Sequence, residues 1–183
     1  MSRLTLTQAA RALGVAQHKL IHLCEKRVVV PDVDDARGRG SSRGFSYRNL
    51  FEFAVALEMR RLELPLSLIS AVLFVLRSFE SAAGATLPGF ALPESLQTAN
   101  APTVRAFILD GDRLFFSVGK SRGTTSVFGG VDLPKRSRRL RATRPPDVRK
   151  LSTAVATKLM RSAKTRAEID LTRIAVDLAR PEV

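Results

Sequence analysis

The sequence has one cysteine, two histidines, one tyrosine and no tryptophan in 183 residues. A single thiol, Cys24, leaves no partner for an internal disulfide and suits a reducing compartment. Both histidines, His18 and His22, lie in one helical stretch, so no independent histidine base or catalytic triad can be assembled elsewhere. No P-loop or dinucleotide fingerprint occurs, and the glycines of "SRGTTSVFGG" (121–130) match neither spacing. The carboxylates of "LDGD" (109–112) are explained by a turn. Neither enzymatic activity nor a cofactor is expected. The longest apolar run, "LPLSLISAVLFVL" (64–76), is short for a bilayer, carries a proline and two serines, and reads as a buried helix. No signal segment precedes the first helix, so the expected location is the cytoplasm, without membrane contact.

What is present is a large apolar fraction and an uneven charge. At 45% hydrophobic residues the chain can bury a core. The net charge is +13, and its placement carries the information. Residues 1–133 hold 16 Lys/Arg against 12 Asp/Glu, whereas residues 134–166 hold 12 against the single Asp147. Such a concentration points to a polyanionic partner, because each neutralised phosphate releases condensed counterions. A solvated basic tail without a ligand is the plainer alternative.

Along the chain, Thr5 or Thr7 caps a first helix running to about Leu13, Gly14 turns the chain, and a second helix fits 16–26. "VVV" (28–30) predicts a short strand, 32–44 a polar Gly-rich loop, and Phe45 a returning strand, together a wing. Ser46 caps a helix over 47–63, Pro65 breaks it, and another helix runs to about Phe79. It is apolar on nearly every side, which predicts burial, in part against another subunit. Residues 81–103 have a linker's Gly, Pro and Ala. Two β-type runs then flank Asp110-Gly111, a hairpin signal, and 124–133 predicts a third strand. A basic connector (134–150) follows. A helix from Pro146 would carry a stripe of Val148, Leu151, Val155 and Leu159. In the last stretch Ile169 and Leu171 favour a strand and 172–180 a helix. The expected class is α+β: a winged helix-turn-helix over 1–80, a linker over 81–103, and a small α+β domain over 104–183 with a hairpin or meander and a C-terminal helix.

The order helix, turn, helix, strand, basic loop, strand, helix, helix resembles the winged helix-turn-helix of the MerR family. Residues 4–76 carry the resemblance, through "LTLTQAARALGV", "AQHKLIHLCEKRVVVP", "RGFSYRNL" and "RRLELPLSLI". Asn49 stands where the family pattern has an acid, Ile21 and Leu23 where it has Arg and Tyr, and Arg27 where it has Gly. The family's long dimerisation helix is replaced by the linker and hairpin. The resemblance implies that the second helix lies in a major groove while the wing grips the adjacent backbone.

On that helix Gln17, His18, Lys19 and His22 are the solvent-side candidates, with Lys19 suited to guanine or phosphate and Gln17 to adenine. In the wing Arg37, Arg39, Ser41, Ser42 and Arg43 suit phosphates or a narrow minor groove. In the connector Arg138, Arg139, Arg141 and Arg144 suit non-specific attraction. His18 and His22 share a face, but Cys24 points elsewhere and no fourth ligand lies near, so no metal site is expected. Phe107, Phe115, Phe116 and Phe128 could stack on single-stranded bases, although alternating strand positions more often fill a core. The expected function is a sequence-specific transcriptional regulator that binds double-stranded DNA as a homodimer. The alternative is an architectural or adaptor protein, excisionase-like or part of DNA packaging, whose C-terminal domain docks a protein partner.

Overall fold

The computed structural model describes residues 3–33, 44–119, 125–133 and 147–179. Helix α1 (Leu6–Ala12) begins with a reciprocal capping box: the Gln8 amide donates to the Thr5 hydroxyl, and the Thr5 amide donates to the Gln8 side chain. It ends in a Schellman turn, with Gly14 at φ +59° and the Val15 amide donating to the Ala10 carbonyl. Helices α2 (Gln17–Glu25) and α3 (Tyr47–Arg61) close in the same way, with left-handed Arg27 and Glu63 in the glycine position. A side chain there costs about 1 kcal/mol relative to glycine, so packing beyond the turn holds it.

The expected strand at 28–30 does not form. The amides of Val28 and Val29 donate to the Leu23 carbonyl, closing α2, and both side chains enter the core. The β-branched run therefore serves as a buried helix exit. Phe45 forms one antiparallel bridge with Leu4 rather than a returning strand, and its buried ring packs on Phe53 with centroids 5.3 Å apart. Residues 34–43 lie outside the described residues.

Helix α4 (Leu66–Gly84) starts at Pro65 and runs five residues past the expected end. By length and hydropathy it could cross a bilayer, yet half of its apolar window is buried inside this molecule. Phe79 stacks on Phe116 at 4.2 Å and meets Phe90 and Phe128 edge-on. The antiparallel sheet that α4 covers has the order β4-β3-β2-β1-β5, from β1 (Thr103–Leu109), β2 (Arg113–Gly119), β3 (Thr125–Asp132), β4 (Arg149–Leu151) and β5 (Arg166–Asp170). The first three strands are the expected meander, and the fold is α+β. Val104, Ala106, Ile108, Leu114, Phe116 and Phe128 join the main core with α4 and α6 (Leu171–Ala179). Phe107, Leu109 and Phe115 form a second cluster on the opposite face, under α5 (Thr153–Ser162). Gly129 is required there, since a Cβ would lie 2.5 Å from the Phe115 ring.

The helix expected from Pro146 is shorter and later. Ser152 caps α5, Leu151 belongs to β4, and Val155 is exposed, so the stripe facing the sheet is Ala156, Leu159 and Met160. The ambiguous end resolves into both candidates, with β5 passing directly into α6 and the Asp170 carboxylate accepting from the Arg173 amide. Residues 81–103 have a linker's composition but are packed: Leu92 and Leu96 are buried, and Gln97 donates to the Tyr47 hydroxyl and the Ala175 carbonyl. One buried apolar cluster runs from Ala9 through α4 to Ala175.

At the hairpin, left-handed Asp110 and Gly111 make the turn. The amides of Thr165 and Lys164 donate to the Asp110 carboxylate and hold its pKa below the ordinary carboxylate range, Thr165 contributing most. A depressed acid adds stability above its unfolded pKa and loses it as pH falls. Asp110→Asn keeps a residue that tolerates the left-handed turn. Urea titrations should show the variant less stable than wild type at neutral pH, with the gap closing as pH falls below about 3.9.

Candidate nucleic-acid interface

Helix α2 is pinned from one side and open on the other. Leu20, Leu23 and Cys24 are buried, with exposures of 0%, 2% and 6%. The candidates Gln17, His18, Lys19 and His22 are all exposed, as the 3.6-residue repeat requires. The Thr7 hydroxyl donates to the Gln17 side-chain oxygen at 3.3 Å, tying the start of α2 to α1. Among residues 3–33, the cations Arg3, Arg11, Lys19, Lys26 and Arg27 are all exposed, against the acids Glu25 and Asp32. The α1–α2 unit thus shows solvent a polar, net-basic surface.

His18 and His22 share that surface, while Cys24 is buried on the far side of the helix. The structure does not bring the three together, and no cluster of three metal-ligating side chains occurs among the described residues. The strand phenylalanines Phe107, Phe115, Phe116 and Phe128 are all buried. Arg37, Arg39, Ser41, Ser42 and Arg43, and likewise Arg138, Arg139, Arg141 and Arg144, lie outside the described residues.

The residues that flank positions 34–43 are held by a network that sequence reasoning missed. Asn49, fully buried near the start of α3, donates from its amide to the Val30 carbonyl and to Glu52, both at 3.1 Å. Its oxygen accepts from the Asp32 amide at 3.0 Å. The Asp32 carboxylate in turn accepts from the amide and hydroxyl of Ser46, and Ser46 caps α3. Val30, Asp32 and Ser46, on either side of positions 34–43, are therefore bonded to one helix start. An ionised acid at position 49 could not make the two donations.

Glu52 carries the network inward. It is 2% exposed, and Arg77 of α4 grips its carboxylate with Nε and a terminal nitrogen at 3.0–3.2 Å. Arg48 lies 3.7 Å away and also pairs with Glu80, whose other oxygen accepts from the Leu92 amide. A buried carboxylate is tolerated only with such partners. The sequence signal was available, since Asn49 and Glu52 sit three apart on the same helix as Phe53 and Ala56, where a polar pair needs explaining.

No protein-family model matches the chain, and comparison with characterised proteins gave no significant match. The residue-level arrangement therefore carries the functional reading.

Replacing Asn49 with Asp removes two donations and puts a second carboxylate beside Glu52. Asn49→Asp should lower stability by about 2–4 kcal/mol. Chemical denaturation measures it, and a loss below about 0.5 kcal/mol would show that packing alone holds Val30, Asp32 and Ser46 together.

Proposed function

We propose that the chain is a sequence-specific regulator of transcription, acting in the cytoplasm by inserting α2 into the major groove of double-stranded DNA. The observation that carries this reading is the two-sided character of α2: an apolar side locked into the core and four groove-compatible side chains on the open side. The MerR-like pattern of residues 4–76 supports it. Lys19 contacts guanine or phosphate and Gln17 contacts adenine, while His18 and His22 extend the same face. The segment bearing Arg37, Arg39, Ser41, Ser42 and Arg43 falls in the sequence between Asp32 and Ser46, which the Asn49 network joins. It reaches the flanking backbone or a narrow minor groove. Arg138, Arg139, Arg141 and Arg144 add attraction without sequence preference.

The protein works as a homodimer on a two-fold operator. The apolar surplus of α4 gives that dimer no special support, because nine of its side chains are buried within the single chain. The reading as a single-strand binder loses its stacking rings, all four being internal. The architectural alternative keeps α2 as the DNA-contacting element, and tandem or long protected footprints rather than one palindrome would favour it.

Selection from a random duplex library should return one recurring motif. On that motif Lys19→Ala or Arg43→Ala should each cost about 1–3 kcal/mol, and much less on random duplex. Neutralising Arg138, Arg139, Arg141 and Arg144 together should weaken both duplexes alike and reduce the salt slope by about 0.9 for each phosphate no longer neutralised. Titrations at several salt concentrations read both effects. No recurring motif would remove the regulator reading, and an unchanged slope would make the connector a docking surface for an acidic protein.

A further inference from the structure

Half of the cations in residues 134–166 lie in the described structure, and they surround α5. From 148 to 167 the chain holds Arg149, Lys150, Lys158, Arg161, Lys164 and Arg166 with no Asp or Glu. Packing of Ala156, Leu159 and Met160 toward the sheet turns Thr153, Thr157, Lys158 and Arg161 outward as an exposed stripe. The neighbouring acids are already engaged. Asp147 pairs with Arg149, Glu168 and Asp170 with Arg105, and Asp110 with the backbone of residues 164 and 165. Among the described residues neither Lys158 nor Arg161 has a carboxylate partner. Arg166 lies over the Phe107 ring at 5.8 Å, which keeps a further cation at the edge of the same face.

The chemistry of this face selects its ligand. Hydroxyls and cations at helical spacing suit phosphate oxygens. A single strand would also need exposed rings, and Phe107 and Phe115 beneath α5 are only 8% and 2% exposed. The position selects the geometry. The buried sides of α1 and α2 join the core that α3, α4 and α6 form against one face of the sheet, whereas α5 covers the other face. The sheet therefore lies between the core that α2 joins and the helix α5.

We propose that the outer face of α5, through Thr153, Thr157, Lys158 and Arg161, is a second duplex-binding surface, and that the protein bridges two DNA segments. The first segment rests on the α2 reading above; the second does not. Contact at α5 is with the phosphate backbone, so it is insensitive to sequence and weakens steeply with salt.

A bridging assay with the full chain tests this. One duplex carrying the selected motif, about 20 base pairs long, is fixed to beads and a second, labelled random duplex is added. Both are far below the persistence length of about 150 base pairs, which prevents one segment wrapping both faces. Wild type should retain the labelled duplex. Lys158→Gln/Arg161→Gln, at two exposed positions, should hold the bead duplex as wild type does. It should recruit the second about tenfold less, with a salt slope lower by about 1.8 for two phosphates at about 0.9 each. A Lys19→Glu/His22→Glu protein should still bind random duplex directly, and bind it about tenfold more weakly when the α5 substitutions are added. Equal recruitment by the α5 variant, or binding of one duplex without a second, would overturn the α5 surface and leave the α2 reading standing. Binding of the motif duplex that is unchanged by the α2 substitutions would do the reverse.

Discussion

A carboxylate buried to 2% exposure, Glu52, sets the terms for the N-terminal half of this molecule. In the interior it is stable only while Arg77 and Asn49 bond it, so three segments must meet there. Arg77 brings α4, and Asn49 brings the exit of α2 through Val30 and Asp32. Arg48 and Glu80 extend the chain of bonds to the backbone at Leu92. The orientation of α2 against α3 and α4 follows from these pairings together with the apolar contacts around them.

The second constraint is the single apolar core. Phe79 of α4 stacks on Phe116 of the sheet, and Phe45, Phe51 and Phe53 lie in the same buried cluster. The element that completes the helical unit thereby also covers one face of the sheet. Residue pairs far apart in the chain reinforce the contact, such as Gln97 with Tyr47 and Arg173 with Glu58. A shift of the sheet against α4 would therefore be felt by the helices that hold α2. Helix α5 covers the face of the sheet opposite to the one that α4 and α6 cover.

Much of this was legible in the sequence because it is local. Thr5 and Ser46 announce helix starts, Gly14 and Asp110-Gly111 announce left-handed turns, and the spacing of Leu20, Leu23 and Cys24 leaves Gln17, His18, Lys19 and His22 outside. Propensity, capping and periodicity are set within a few residues, and no distant part of the chain overrode them at these positions. The concentration of charge after residue 133 was equally plain from composition.

What tertiary structure decided are the matters that depend on a partner far along the chain. "VVV" has a strand's composition, but its amides were taken by Leu23 and its side chains by the core, so no ladder formed. Residues 81–103 have a linker's composition, yet Leu92 and Leu96 found apolar neighbours and packed. Arg27 and Glu63 hold a glycine's conformation because the turns they close are anchored from both sides. Glu52 is buried only because Arg77 sits one helix away. The cations around α5 became a surface only when its apolar side packed on the sheet. A sequence specifies each residue's preferences, and the burial of long-range contacts selects among them, because one desolvated pair outweighs the few tenths of a kcal/mol that separate local conformations.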